Sequence, residues 1–327
     1  MLTRKDLINN SDKRKNFARG ALAGLALGDS FGDACRTERN HKKYGITMDF
    51  GPGSSWSTDD TEFALLTAKI LIDTNGEPSS DDIAAAWREH VVSQNELNRG
   101  GGSEIEAAYN LRKGMNPPDS GKYNFYHMSD GAAMRIAPIG IVYAGDPEKA
   151  AEIAKIDSEI SHWRDGIWGA QAVAAAVALA MVNGSVDQII EIALEYAPKG
   201  SWFRNNLIKG LKIVDSNQPL KTKWTELHDE LRSEYKAAVP EAIAQAFSLF
   251  KLFDGDLEQT LIYSGNFGRD ADTIGAVIGA LCGALHGIDA VPKDWVNKTR
   301  YPTGTCLEFT DGIDILDYAD KLALLIK

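Results

Sequence analysis

The chain has 327 residues, 44% apolar and 25% charged, with a net charge of −11. That length suffices for a large core, and the acidic balance excludes a general nucleic-acid binder, which needs a basic surface to displace counterions. The three cysteines (Cys35, Cys282, Cys306) form no CxxC pair and fit a reducing compartment. Residues 1–15 are polar and basic, lack the apolar core of a secretory signal, and read as a flexible extension of one domain over 16–327. Helical periodicity predicts helices over 15–33, 60–75, 80–95, 103–113, 131–144, 147–158, 163–182, 185–196, 200–214, 221–235, 239–252, 256–264, 271–286 and 313–326. Only "YGITMDF" (44–50) has strand character. The fold class expected is all-α, a single-domain helical bundle. The irregular stretches 34–57, 96–102, 114–130 and 288–312 are long enough to carry function. Two uncharged runs, Ile274–Leu285 and Gly166–Val182, read as buried helices: the first is too short to span a bilayer, and the second is mostly alanine and contains Gln171. A cytoplasmic protein with no membrane partner is the expectation.

Two predicted helices carry glycine at every fourth position: Gly20, Gly24, Gly28 and Gly32, then Gly275, Gly279, Gly283 and Gly287. Each set makes a stripe on one helix face. An interior glycine costs roughly 1 kcal/mol relative to alanine, so several per helix imply close backbone approach in return. These helices are therefore expected at the centre, with Asp29, Asp33, Asp270 and Asp272 gathered at one end.

Two acid clusters stand at predicted helix starts, "STDDT" (57–61) and "GRDADT" (268–273). Helix capping accounts for either alone, since Ser, Thr and Asp satisfy the free N–H groups. Together they exceed what two caps need. If the helix starts meet, four carboxylates converge and raise one another's pKa unless cations compensate them. Oxygen donors without His or Cys suit Mg²⁺ or Mn²⁺, and the set is large enough for two ions about 3.5–4 Å apart. No GxxxxGK[ST], GxSxG or HExxH occurs. The glycines before Ser103 are as readily a turn as a phosphate loop, and Tyr123, Phe125 and Tyr126 either stack on a base or anchor their loop.

In order and spacing, "GALAGLALGDSFGDA" (20–34), "WSTDDTEFALLTAKIL" (56–71), "SDGAAMRIAPIGI" (129–141), "ISH" (160–162) and "NFGRDADTIGAVIGALCGALHG" (266–287) resemble the ADP-ribosylglycohydrolase family. The resemblance runs from about residue 16 to about residue 300. It implies an all-α orthogonal bundle with two Mg²⁺ or Mn²⁺ ions in a cleft. Thr58, Asp59, Asp60, Asp270, Asp272 and Thr273 match its metal ligands. Ser129, Asp130, Gly131, Met134 and His162, with Ser103 as a stand-in beside Glu104, match its contacts to ADP-ribose.

The implied reaction is hydrolysis of the N-glycosidic bond of ADP-ribosylated substrates, mono-ADP-ribosyl-arginine on protein foremost, with Glu38, Asp60 and Asp272 as catalytic carboxylates. Partners would be an ADP-ribosylated protein or an ADP-ribose-like small molecule. The chain departs from the family in three places. Arg36 holds the place of the usual glutamate, leaving Glu38 two residues on as its substitute. Asp130 replaces an asparagine, and "NRGGGSEIEAA" lacks an aspartate before a Thr-Thr pair. These departures keep two alternatives open: an N-ribosyl hydrolase of a nucleoside-like metabolite, and a non-catalytic binding or immunity protein.

Overall fold

The glycine stripes set the centre of the molecule. In the computed structural model, which describes residues 1–36, 46–50 and 56–327, α1 spans Arg4–Ile8 and α2 spans Ser11–Cys35. Helix α2 lies antiparallel against a late helix over Ala271–His286. A Cβ placed on Gly24 would stand 2.0 Å from the Gly279 carbonyl oxygen, and one on Gly28 would stand 1.8 Å from that of Gly275. Only glycine permits this approach. Both helices are buried along most of their length, so their backbones form the core.

The other helices wrap this pair. They are α3 (Asp59–Asp73), α4 (Ser80–Trp87, continuing as a π turn over Arg88–Val92), α5 (Gly102–Arg112), α6 (Asp119–Lys122), α7 (Gly131–Met134) and α8 (Ala137–Val142). Then come α9 (Pro147–Ser158), α10 (Asp165–Ala180), α11 (Val186–Glu195), α12 (Trp202–Val214), α13 (Leu220–Glu230), α14 (Val239–Leu252) and α15 (Leu257–Gly265). The central α16 (Ala271–His286) is followed by α17 (Lys293–Thr299) and α18 (Ile315–Leu324). The domain is all-helical as expected. A smaller apolar cluster around Phe63, Trp87, Leu111 and Met134 sits beneath α3, α4 and α5. No helix among the described residues is long and apolar enough to cross a membrane.

Several expectations change. Residues 46–50 of the strand candidate form no strand, while 44–45 lie outside the described residues. Residues 1–15 are not a loose extension: they hold α1 and the first turn of α2. Thr3 and Asp6 form a capping box, Leu7 is fully buried, and the Arg4 guanidinium donates to the Ala144 and Lys327 carbonyls at 2.9 and 2.6 Å. The helix expected over 131–144 splits into α7 and α8, because Pro138 has no N–H to continue the ladder. The helix expected over 221–235 stops at Glu230, which releases Tyr235 and Lys236 into a loop. An isolated bridge then ties that loop to the 128–130 segment: Asp130 N–H donates to Ala237 O at 2.8 Å, and Val239 N–H to Met128 O at 3.0 Å.

Candidate active site

Asp29 brings the two acid clusters together. It is fully buried near the C-terminal end of α2. Its carboxylate accepts from Thr58 N–H at 3.0 Å, Thr58 Oγ1 at 2.5 Å, Thr61 N–H at 3.2 Å and the Thr61 hydroxyl. The start of α3 is thus pinned to α2. The start of α16 reaches the same place because Gly32 packs on the backbone of Ala271 and Asp272. Asp270 is aimed by its neighbour: Arg269 takes a left-handed φ of 59° and is anchored by Glu241 at 2.6 and 3.1 Å and by the Ser233 carbonyl at 2.7 Å.

The result is a cavity of about 550 Å³, within the size range of small-molecule sites. Asp59, Asp60, Asp270, Asp272 and Thr273 line its floor; Ser103, Ser129, Asp130, Gly131 and Met134 line one wall. Of the remaining expected residues, Thr58 is buried beneath the floor, with its hydroxyl between Asp29 and Asp60. His162 does not line the cavity; it is fully buried and meets the wall only through Ser129. Glu38 lies outside the described residues. The sequence reading missed Arg99, Tyr235 and Lys236, which loops deliver to the rim.

Burial shapes the charge of this floor. Desolvation, reinforced by neighbouring carboxylates, pushes Asp59, Asp60 and Asp130 well above the usual aspartate range. Desolvation also raises Asp29, to about 6, against the hydrogen bonds from Thr58 and Thr61. Asp272 is raised to about 7 by desolvation and Asp270, although Arg36 and Lys236 pull it down. One oxygen each of Asp60 (Oδ1), Asp130 (Oδ2) and Asp272 (Oδ1) is buried without a hydrogen-bond partner. The Asp270 side is supplied with cations. Arg36 bonds Asp272 and stands 3.5 Å from Asp270 and 3.4 Å from Asp33; Lys236 pairs with Asp270 at 2.7 Å and Arg99 with Asp33 at 2.6 Å.

Behind the wall runs a closed ring of hydrogen bonds. Arg135, 1% exposed, donates to Ser161 Oγ at 3.0 Å, and its guanidinium lies 3.4 Å from Glu104 and 3.0 Å from Asp157. His162 Nδ1 meets Ser161 Oγ at 2.7 Å, and Nε2 meets Ser129 Oγ at 2.9 Å. Ser129 donates to Ser103 at 2.8 Å, and Ser103 donates to Glu104 at 2.7 Å. One tautomer satisfies the whole ring: neutral His162 accepts at Nδ1 and donates from Nε2. Burial, with Arg135 nearby, holds the His162 pKa well below its ordinary value, consistent with that neutral form. The ring fixes Ser129 and Ser103 at the cavity surface.

The donor set fits a hard divalent cation: buried carboxylates with unpartnered oxygens, beside a threonine and without His or Cys. As placed, however, no three His, Cys, Asp or Glu side chains among the described residues form a ligating group. Thr58 and Thr61 draw on Asp29, while Arg36, Lys236 and Arg99 draw on Asp272, Asp270 and Asp33.

An all-helical domain of this architecture is shared with a solved structure described as an ADP-ribosylglycohydrolase-related protein complex. The TM-score is 0.69 at 20% identity, over 97% of this chain and 100% of the other. The sequence profile of the ADP-ribosylglycohydrolase family matches residues 10–327, and the chain belongs to that family of hydrolases. It is 29% identical over 297 residues to an uncharacterized protein of Archaeoglobus fulgidus, covering 86% of this chain and 91% of that one. It is 25% identical over 335 residues to the ADP-ribosylhydrolase ARH3 of Homo sapiens, covering 85% and 87%.

Proposed function

We propose that the chain is a divalent-cation-dependent hydrolase that cleaves the N-glycosidic bond at the ribose C1 of ADP-ribosylated substrates, arginine-linked protein adducts foremost. The observation that carries this reading is the convergence of two acid-bearing helix starts on one cavity, with carboxylate oxygens left unpartnered there. Asp59, Asp60 and Asp272 would hold the cation, with Asp270 and Thr273 beside them and Thr58 steadying the start of α3. Bound there, such an ion supplies Lewis acidity next to the ribose.

The chain's own residues supply the rest. A guanidine leaves only if its nitrogen is protonated. Asp130, whose burial favours the protonated form, donates that proton as the C1–N bond breaks. Asp60 and Asp272 face the positive charge that develops on the ribose. Water adds its oxygen to C1, and its proton passes to a carboxylate, for which Glu38 remains the candidate. Ser129, Ser103, Gly131 and Met134 shape the wall for the nucleotide, and His162 acts through Ser129. Asp130 in its protonated form does not repel a diphosphate, and Arg99 and Lys236 place cationic groups on the cavity lining. This favours ADP-ribose over an uncharged nucleoside.

A hydrolysis panel with Mg²⁺ or EDTA tests the reading, comparing ADP-ribosyl-arginine, ADP-ribosyl-serine, O-acetyl-ADP-ribose and simple ribonucleosides. ADP-ribosyl-arginine is expected to turn over with Mg²⁺ and not with EDTA. Turnover of a ribonucleoside with none of any ADP-ribosyl substrate would overturn it, and no turnover at all would favour the binding-protein alternative. Asp59→Ala and Asp272→Ala are each expected to abolish hydrolysis and the Mg²⁺-dependent rise in melting temperature.

A further inference from the structure

We propose that Arg36 is a built-in counter-ion that takes the place of one cation, so that this chain holds a single divalent ion on a floor otherwise rich enough in acids for two. The inference rests on the cation-dependent reading above and concerns how many ions the floor accepts.

Arg36 follows the last residue of α2, one helical turn beyond Asp33. From there its guanidinium crosses to the start of α16 and engages Asp272, Asp270 and Asp33 together. It lies along the cavity wall with its side chain only 32% exposed. The floor divides accordingly. Asp33, Asp270 and Asp272 each have a protein cation, from Arg36, Lys236 or Arg99. Among the described residues no cation pairs with Asp59, Asp60 or Asp130.

The unpartnered oxygens follow that division. Asp272 gives Oδ2 to Arg36 and keeps Oδ1 free. Asp60 receives the Thr58 hydroxyl on Oδ2 and keeps Oδ1 free. Both residues are more than nine-tenths buried. Together with the Asp59 carboxylate on the same cavity, these oxygens are what α3 and α16 offer a cation, and since no three of these side chains form a ligating group as placed, they would have to draw together around it. A second set, between Asp270 and Asp272, is already occupied by the guanidinium.

Arginine suits this role because it stays charged at any working pH and its planar fork reaches several carboxylates at once. Tethered to the end of α2, it competes as an intramolecular ligand at high effective concentration. A second divalent ion would have to displace it and then sit against its charge.

Ion stoichiometry decides the matter. Full-length protein stripped with EDTA is dialysed against Mn²⁺, and bound Mn²⁺ per chain is counted, with electron paramagnetic resonance reporting whether two ions couple. One uncoupled Mn²⁺ is expected in the wild type and in Arg36→Lys, and two in Arg36→Gln. Two ions in the wild type overturn the proposal without any variant having to fold. So does a folded Arg36→Gln that still binds one. A wild type that binds none overturns it too, and also removes the cation from the proposed function. Failure of the hydrolysis panel with one Mn²⁺ bound would instead count against the substrate reading alone.

Discussion

Gly24→Ala tests the close contact on which the fold is built. The added Cβ would stand 2.0 Å from the Gly279 carbonyl oxygen, whereas real Cβ atoms essentially never approach within 3.0 Å. Helices α2 and α16 must therefore part by about 1 Å, and overpacking of this kind costs about 1–3 kcal/mol. The separation cannot stay local, because Gly20, Gly28 and Gly32 make equally tight approaches along the same face. A gap of about 0.5–1 Å forfeits a quarter to a half of each dispersion contact it opens. Alanine's better helix propensity returns roughly 1 kcal/mol. Set against the overpacking cost and the dispersion lost along the face, the net expectation is a loss of about 1–2 kcal/mol, read as a lower urea midpoint at unchanged slope. Gly279→Ala meets the Gly24 carbonyl in the same way, so the double variant should lose less than the sum of the two singles, the helices having already parted. A Gly24→Ala protein as stable as the wild type, or more so, would refute the reasoning.

The acid floor predicts an unusual pH dependence. Asp272 is raised to about 7, and Asp59, Asp60 and Asp130 stand well above their ordinary values, so around neutrality the folded chain still binds protons that the unfolded chain has released. Stability without cations should fall as pH rises from 6.5 to 8; His162, with its folded pKa lowered, opposes this only at the lower end, where the unfolded imidazole loses its proton around the ordinary histidine pKa of about 6.5. Mg²⁺ should restore more of the melting temperature at pH 8 than at pH 6.5, and Asp272→Asn should flatten the fall; a metal-free melting temperature that rises over this range would contradict the account. Arg135→Met should destabilise the protein by about 3–5 kcal/mol, because it strands Glu104 and Asp157 as buried charges. Arg135→Lys should not rescue it fully, since one ammonium cannot serve Asp157, Glu104, Ser161 and the Gly131 carbonyl together; thermal melts of both variants check this.

Much of the helical framework was legible in the chain. The predicted helices 147–158, 239–252 and 271–286 match α9, α14 and α16 to the residue, because proline or aspartate marks their starts and an apolar period runs through them. The short α6 and α17 lay within stretches read as irregular, since four or seven residues carry too little period to detect. His162 read as a contact to ADP-ribose from its motif. That Ser129 stands between it and the cavity depends on packing between segments 33 residues apart in the chain.

By itself the sequence determined that two helices meet face to face. Glycine at every fourth position leaves a stripe without side chains, and nothing but another backbone fills it. It also determined that acids gather at one end of that pair, because they stand next to the stripes. Only the tertiary structure decided what those acids are. Burial, which no local pattern reports, pushes Asp130 well above the usual aspartate range. Loops that close over the cavity bring Arg99, Tyr235 and Lys236 to its rim. The end of α2 places Arg36 between Asp270 and Asp272. Proton affinity and ion pairing depend on what surrounds a group in space, and that is set by the closure of the whole chain.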